Sequence, residues 1–99
     1  MTKQMPLIPP GEILLEDFLK PLGVSQNRLA RDIDVPVSRI AGIIAGDRAI
    51  TADTALRFGA YFGSSAEMWL NLQNEFDLRQ ARRTIWPEVK KKIRPLKAA

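Results

Sequence analysis

The chain has 99 residues, a formal net charge of +4, and neither cysteine nor histidine. This length fits one domain with a modest core, and the missing residue types exclude disulfides, thiolate sites and imidazole chemistry. No apolar run approaches the roughly 20 residues of a membrane span, and residues 5–10 are too short and too proline-rich for a signal peptide. We therefore predict a soluble cytoplasmic protein without cofactor or metal.

Apolar residues recur at helical spacing in five segments, and strand-like alternation is limited to a weak case at residues 84–86. The first predicted helix begins at Pro9 and Pro10 and ends at Pro21 and Gly23. The others are predicted over about 25–32, 36–45, 51–62 and 64–78. Five short helices with short connections indicate a compact all-α fold.

Side chains that accept backbone N–H bonds stand where three of these helices begin. Ser25 and Thr51 are predicted N-caps. Ser64 is predicted as a third, in a capping box with Glu67.

Residues 25–46 contain two short helical patterns separated by a brief turn. Asp34 lies at the reversal, where a short acidic side chain tolerates a left-handed backbone. Pro36 is predicted at the first position of the following helix, and Gly46 is predicted to end it. Ala30 is small enough to let the two helices approach. This is the layout of a helix-turn-helix, whose second helix enters the DNA major groove.

Positive charge is concentrated at the C-terminal end, since residues 79–99 contain eight Lys and Arg against Glu88 alone, a net charge of +7. Such a tail suits phosphate backbones, and it equally suits a solvated terminus. An apolar stripe inside it, Trp86, Val89, Ile93 and Leu96, permits an amphipathic segment docked on its own domain, docked on a partner, or partly disordered. We divide the chain into an N-terminal arm (1–8), a helical domain (9–78) and a basic tail (79–99).

Residues 10 to about 72 resemble the five-helix DNA-binding domain of the phage-repressor (lambda repressor-like) type, also called Cro/C1 or xenobiotic-response-element type. Two flanking motifs are similar to those of the HigA group of toxin–antitoxin antidotes: Pro9-Pro10-Gly11-Glu12-Ile13-Leu14 and Met68-Trp69-Leu70-Asn71-Leu72-Gln73. This resemblance implies a small protein that represses its own operon as a dimer and binds a RelE-like mRNA-cleaving toxin. Asp34 departs from the family pattern, which usually has glycine at this turn.

Base contacts are predicted on the second helix of the motif, at Val37, Ser38, Arg39 and Gly42. Arg39 is the only long donor among them, and arginine bidentate to guanine is the commonest specific contact. The alternative is an arginine that faces solvent or a phosphate. Val37 suits a thymine methyl, Ser38 a phosphate or base edge, and Gly42 permits close approach.

Phosphate contacts are predicted at the start of the preceding helix, at Ser25, Gln26 and Asn27. The alternative for Asn27 is an ordinary exposed polar residue. Arg48 is a phosphate contact by the resemblance, although Asp47 beside it opposes that role.

A homodimer interface is predicted at Trp69 with Leu70 and Leu72, because apolar residues there exceed the width of one core face. The alternative is that Trp69 belongs to the core. A twofold dimer would place two recognition helices about 34 Å apart.

An enzyme is not predicted, because the chain lacks histidine, cysteine, a glycine-rich phosphate loop after a strand and an evident pair of facing carboxylates. The favoured function is a DNA-binding autorepressor that also neutralises a toxin. The alternatives are a stand-alone phage or chromosomal repressor, and a helical interaction module that no longer binds DNA. A RelE-like reading frame immediately upstream would favour the first.

Overall fold

The computed structural model describes residues 6–97, which form six helices and no strand. The first helix, α1, is continuous but has a π-helical middle, and the six helices have these bounds: α1, Pro10–Ile13, Leu14–Leu19 and Lys20–Leu22; α2, Gln26–Asp32; α3, Val37–Ala45; α4, Ala52–Phe62; α5, Ala66–Thr84; α6, Trp86–Lys92. The predicted all-α class is confirmed. The suggested strand at residues 84–86 is wrong.

The expected count of five helices is also wrong, because the basic segment after residue 78 is largely helical as far as residue 92. Arg79 Nη2 donates to Glu75 Oε1 at 2.7 Å, one turn earlier, which supports the continuation of α5. Pro87 then lies in the first turn of α6, where a missing N–H costs little. The predicted boundary between residues 78 and 79 therefore lies inside one uninterrupted helix, Ala66–Thr84. Residues 1–5 of the predicted arm and 98–99 of the tail lie outside the described part.

The turn between α2 and α3 has the predicted left-handed residue. Asp34 has φ 59° and is the only non-glycine with positive φ among residues 6–97. Pro36 is extended, with ψ 143°, and is the N-cap, so α3 begins one residue later than predicted. An extended residue is needed there for the chain to leave the turn, and proline satisfies it without losing a helical hydrogen bond.

Two of the three predicted N-caps are confirmed. Ser25 Oγ accepts from Arg28 N at 3.0 Å, and Thr51 Oγ1 accepts from Thr54 N at 3.4 Å. The third is wrong by one residue, because Ser65 Oγ accepts from Met68 N at 3.1 Å. Two adjacent serines made both positions plausible caps, and tertiary contacts decide between them.

The core contains Trp69, which has no exposed surface. Its ring centroid lies 4.8 Å from that of Phe18 and 5.0 Å from that of Phe58. Its Nε1 donates to Ser64 Oγ at 3.0 Å. The prediction that Trp69 contacts a second subunit is therefore wrong, because a side chain already buried within one chain has no surface left for a partner. Ser64, the predicted cap, serves this indole instead.

Backbone contact fixes α3 against α1. Gly11 is buried, and a Cβ added there would overlap the carbonyl group of Ile43. The two helices thus cross with no side chain between them. On the other side, Gln73 of α5 accepts a hydrogen bond from Ile50 N at 2.8 Å, which ties α5 to the loop after α3.

Candidate nucleic-acid interface

The helix α3 is amphipathic, and its polar side is free of protein contacts that would hide it. Ile40 and Ile43 are buried beside Leu29 and Ala30 of α2. Val37 and Ser38 are exposed on the other side. Ala30, the small residue predicted to let the two helices approach, is buried in the same core cluster. The packing therefore turns the first residues of α3 outward, which is the orientation that a recognition helix requires.

The α2–α3 turn is held by Arg57 of α4. Its Nη1 donates to the carbonyl oxygens of Ile33 at 2.6 Å and of Asp34 at 3.2 Å. Tyr61, one turn further along α4, donates from its hydroxyl to Asp32 Oδ2 at 2.8 Å, and this hydrogen bond raises the pKa of Tyr61 above 10.0. Both side chains tie the end of α2 and the turn after it to α4. The sequence analysis missed both, since their partners lie more than 20 residues away in the chain.

The side chain of Arg39 extends from α3 to the beginning of α4. Its Nη1 donates to Asp53 Oδ2 at 2.9 Å, and its side chain is 29% exposed. The same Asp53 oxygen accepts from Arg57 Nε at 3.1 Å. The hydrogen bond from Arg57 and the charges of both arginines hold the pKa of Asp53 below its ordinary value of 3.8, although desolvation opposes this. Arg39 therefore has a fixed carboxylate partner while part of its guanidinium reaches solvent.

Arg48 meets Arg39 at the same surface. Asp47 N and Arg48 N donate to the carbonyl oxygen of Gly42 at 2.9 and 3.1 Å, so the loop after α3 folds back over its end. A Cβ on Gly42 would lie 3.3 Å from Arg48 Cβ, and the glycine therefore leaves room for the arginine stem. Arg39 and Arg48 line one shallow cleft, together with residues of the α4 start. Two of the predicted DNA contacts are thus adjacent.

The predicted phosphate contacts lie at the N-terminal end of α2. Ser25 uses its hydroxyl oxygen to cap the helix, and Gln26 and Asn27 are its first two residues. Asn27 is exposed and Gln26 half-buried. Free N–H groups and the positive end of the helix dipole make this end suitable for an anion.

The two leucines predicted beside Trp69 differ in position. Leu70 and Leu72 are both half-buried against the core. Because successive residues are about 100° apart around a helix, they lie on opposite sides of α5. Leu72 lines a groove beside Ile8 and Ile13. Leu70 lies about two turns before a second groove, which the exposed residues Leu78 and Ile85 line.

Two helices packed through Ala30, joined by a left-handed turn and presenting the second helix outward, define a helix-turn-helix protein. The sequence model of the helix-turn-helix family matches residues 15–69. Among relatives, virulence-associated protein I of Dichelobacter nodosus is 53% identical over 78 residues, which are 79% of this chain and 72% of that protein. Antitoxin HigA-1 of Vibrio cholerae is 34% identical over 95 residues, covering 96% of this chain and 88% of the relative.

A solved structure described as Pseudomonas aeruginosa antitoxin HigA with higBA promoter superposes with a TM-score of 0.87 and 38% identity, covering 93% of this chain and all of that one. The chain belongs to the helix-turn-helix family and, within it, to the HigA group, as the two sequence motifs predicted. No helix within residues 6–97 is both long and apolar enough to cross a membrane.

Proposed function

We propose that this protein is an antitoxin that binds the operator of its own operon as a dimer, represses that operon and neutralises a RelE-like mRNA-cleaving toxin. The observation that carries the DNA-binding part is the outward face of α3, with Arg39 and Arg48 adjacent in one cleft. Membership of the HigA group supports the antitoxin part, and the Pseudomonas aeruginosa relative is described with promoter DNA. Operator DNA places this function in the cytoplasm.

In the proposed complex α3 lies in the major groove. Arg39 donates to a guanine edge, exposed Val37 contacts a thymine methyl, and Ser38 bonds a phosphate or base. Gly42 has no side chain, so the floor of the DNA major groove and the aliphatic part of Arg48 can both approach its backbone. Phosphates are bound by Arg48 and by the start of α2 at Ser25, Gln26 and Asn27.

Arg39→Ala is expected to weaken operator binding by about 1–3 kcal/mol while changing binding to a shuffled duplex much less, because a bidentate base contact carries sequence information. Both duplexes are titrated at one fixed salt concentration. The matched control is Arg79→Ala, which removes an arginine from a similar exposed ion pair with Glu75 on α5. Equal losses on both duplexes for Arg39→Ala would assign this side chain to a phosphate.

The proposed dimer contact comprises Leu70 and, about two turns further along α5, Leu78 and Ala81, with Ile85 directly after the helix. Leu78 is 53% exposed, Ile85 62% and the adjoining Trp86 40%, and with Ala81 and Arg82 these side chains line a shallow groove. Contiguous apolar surface of this kind is usually covered by a partner. A second copy is the occupant we assign, because a twofold dimer needs an exposed surface that is used by both chains, and this apolar surface lies outside the core of each chain. These residues take the place of Trp69 as the proposed dimer contact. Leu72 lies on the other side of α5 and is not part of it.

A dimer is needed because few side chains of α3 face outward. Each base contact discriminates by about 1–3 kcal/mol, which is too little for one domain against the competing sites of a genome. Two domains at a fixed separation double this specific term. Leu78→Ala, like other truncations on this face, should therefore weaken operator binding because it weakens the dimer.

The antitoxin function is tested by co-expression with a RelE-like protein encoded beside this chain. We expect the toxin alone to arrest growth and the pair to grow normally and to copurify. Growth arrest that persists, together with intact operator binding, would indicate a stand-alone repressor. Toxin neutralisation without operator binding would indicate an interaction module. Failure of both activities would overturn the proposal.

A further inference from the structure

The guanidinium of Arg39 is held before any DNA is present. Arginine side chains have several rotatable bonds, and ordering one on binding costs rotamer entropy. Here Nη1 donates to Asp53 Oδ2 at 2.9 Å. A guanidinium has five N–H groups, so the donors that Asp53 does not use remain for a base edge. The ion pair therefore orients the Arg39 side chain and leaves N–H donors for a base.

Asp53 is itself fixed by neighbouring elements. It lies in the first turn of α4, where the helix dipole favours a carboxylate. Its Oδ2 also accepts from Arg57 Nε at 3.1 Å, and Arg57 in turn bonds the carbonyl oxygen of Ile33 at 2.6 Å. A continuous set of hydrogen bonds thus connects the Arg39 guanidinium to the α2–α3 turn. The orientation of the Arg39 donors is therefore set relative to the helix-turn-helix.

From this arrangement we propose that Asp53 is a specificity-determining residue, which positions Arg39 for one base and suppresses its attraction to phosphate generally. This inference rests on the proposed DNA-binding function and adds a residue on α4 to the elements that select the operator. The Asp53 carboxylate is ionised in the neutral range, and its lowered pKa extends this charge and the positioning of Arg39 further into the acidic range. A negative charge beside Arg39 opposes phosphate binding, which is the sequence-independent part of affinity.

The two roles predict effects of opposite sign for Asp53→Asn. Removing the carboxylate charge should raise affinity for a shuffled duplex about threefold at low salt, because one repulsive charge is lost. The ratio of operator to shuffled affinity should fall about tenfold, within the range expected for one bidentate base contact. A residue with a merely structural role would lower both affinities together.

The experiment titrates the full chain with a duplex covering the promoter directly upstream of its operon and with a shuffled duplex of the same composition. Asp53→Asn is measured in the wild-type and Arg39→Ala backgrounds. Glu75→Gln is the matched control, because it removes a carboxylate from the exposed Glu75–Arg79 pair on α5. Asp53→Ser is a second variant without the carboxylate, and circular dichroism shows whether each variant is folded.

We expect Asp53→Asn and Asp53→Ser to lower the specificity ratio in the wild-type background and to leave it unchanged when Arg39 is alanine, with Glu75→Gln inert in both. An unchanged ratio in folded variants, with operator binding by the wild type intact, would overturn this inference alone. So would an equal fall of the ratio in the Arg39→Ala background, since Asp53 would then act through the fold. A wild-type protein that does not distinguish the two duplexes would overturn the proposed function as well.

Discussion

Replacement of Trp69 by alanine is expected to lower the free energy of unfolding by about 3–5 kcal/mol, the range for removing a buried aromatic side chain. The indole has no exposed surface and lies against the rings of Phe18, Phe58 and Phe62. Its loss leaves a cavity and also leaves Ser64 Oγ without its indole donor. For a domain whose whole stability is about 5–15 kcal/mol, this change removes a large fraction of it.

The measurement is denaturant unfolding followed by far-ultraviolet circular dichroism. Leu56→Ala is the control, because Leu56 of α4 is 64% exposed and its truncation should cost about 0.5 kcal/mol or less. A Trp69→Ala protein as stable as the wild type but monomeric would return this residue to a subunit interface and contradict its place in the core.

Ile85→Ser is expected to convert the proposed dimer to a monomer at micromolar concentration and to weaken binding to the complete operator by about 100-fold or more. Ile85 is 62% exposed within one chain, so serine there should leave the monomer folded. Linking two binding domains gains affinity of about 10²–10⁴ through effective concentration, and separation loses it. Sedimentation gives the oligomeric state, and titration of the operator and of a single half-site gives the binding.

Leu56→Ser is the matched control, since it introduces the same hydroxyl at an equally exposed apolar position on α4. It should leave both assembly and operator affinity unchanged. Because residues 79–99 have a net charge of +7 in each copy, salt should strengthen the dimer by screening this repulsion. A wild type that is monomeric under these conditions, or an Ile85→Ser protein that remains dimeric, would exclude this face.

The parts of the fold that the sequence predicted are set by local chemistry. The left-handed turn at Asp34 and the caps at Ser25 and Thr51 depend on side chains within three residues of the groups they serve. The choice between Ser64 and Ser65 was not local, because the indole of Trp69 takes the first serine. Trp69 itself lay on an apolar arc whose spacing fits a core and an interface equally.

The exposure of the candidate site was predictable from the sequence, whereas the hydrogen bonds that support the site were not. Exposed positions on α3 follow from helical periodicity, which places Val37 and Ser38 opposite the buried isoleucines. Asp53 and Arg57 show the spacing of a helical ion pair in the sequence, which was the available signal. Their contacts with Arg39 and with the carbonyl of Ile33 cross to other helices, so only the packed structure reveals them.

The crossing of α1 and α3 at Gly11 and Ile43 affects how the protein adapts to different DNA sequences. Because backbone atoms meet with no side chain between these helices, we expect α3 to move with α1 rather than to tilt by itself. Adaptation to an imperfect sequence must then come from the duplex. Stiff or wrongly curved DNA is rejected by its own bending energy, even where every base contact is present.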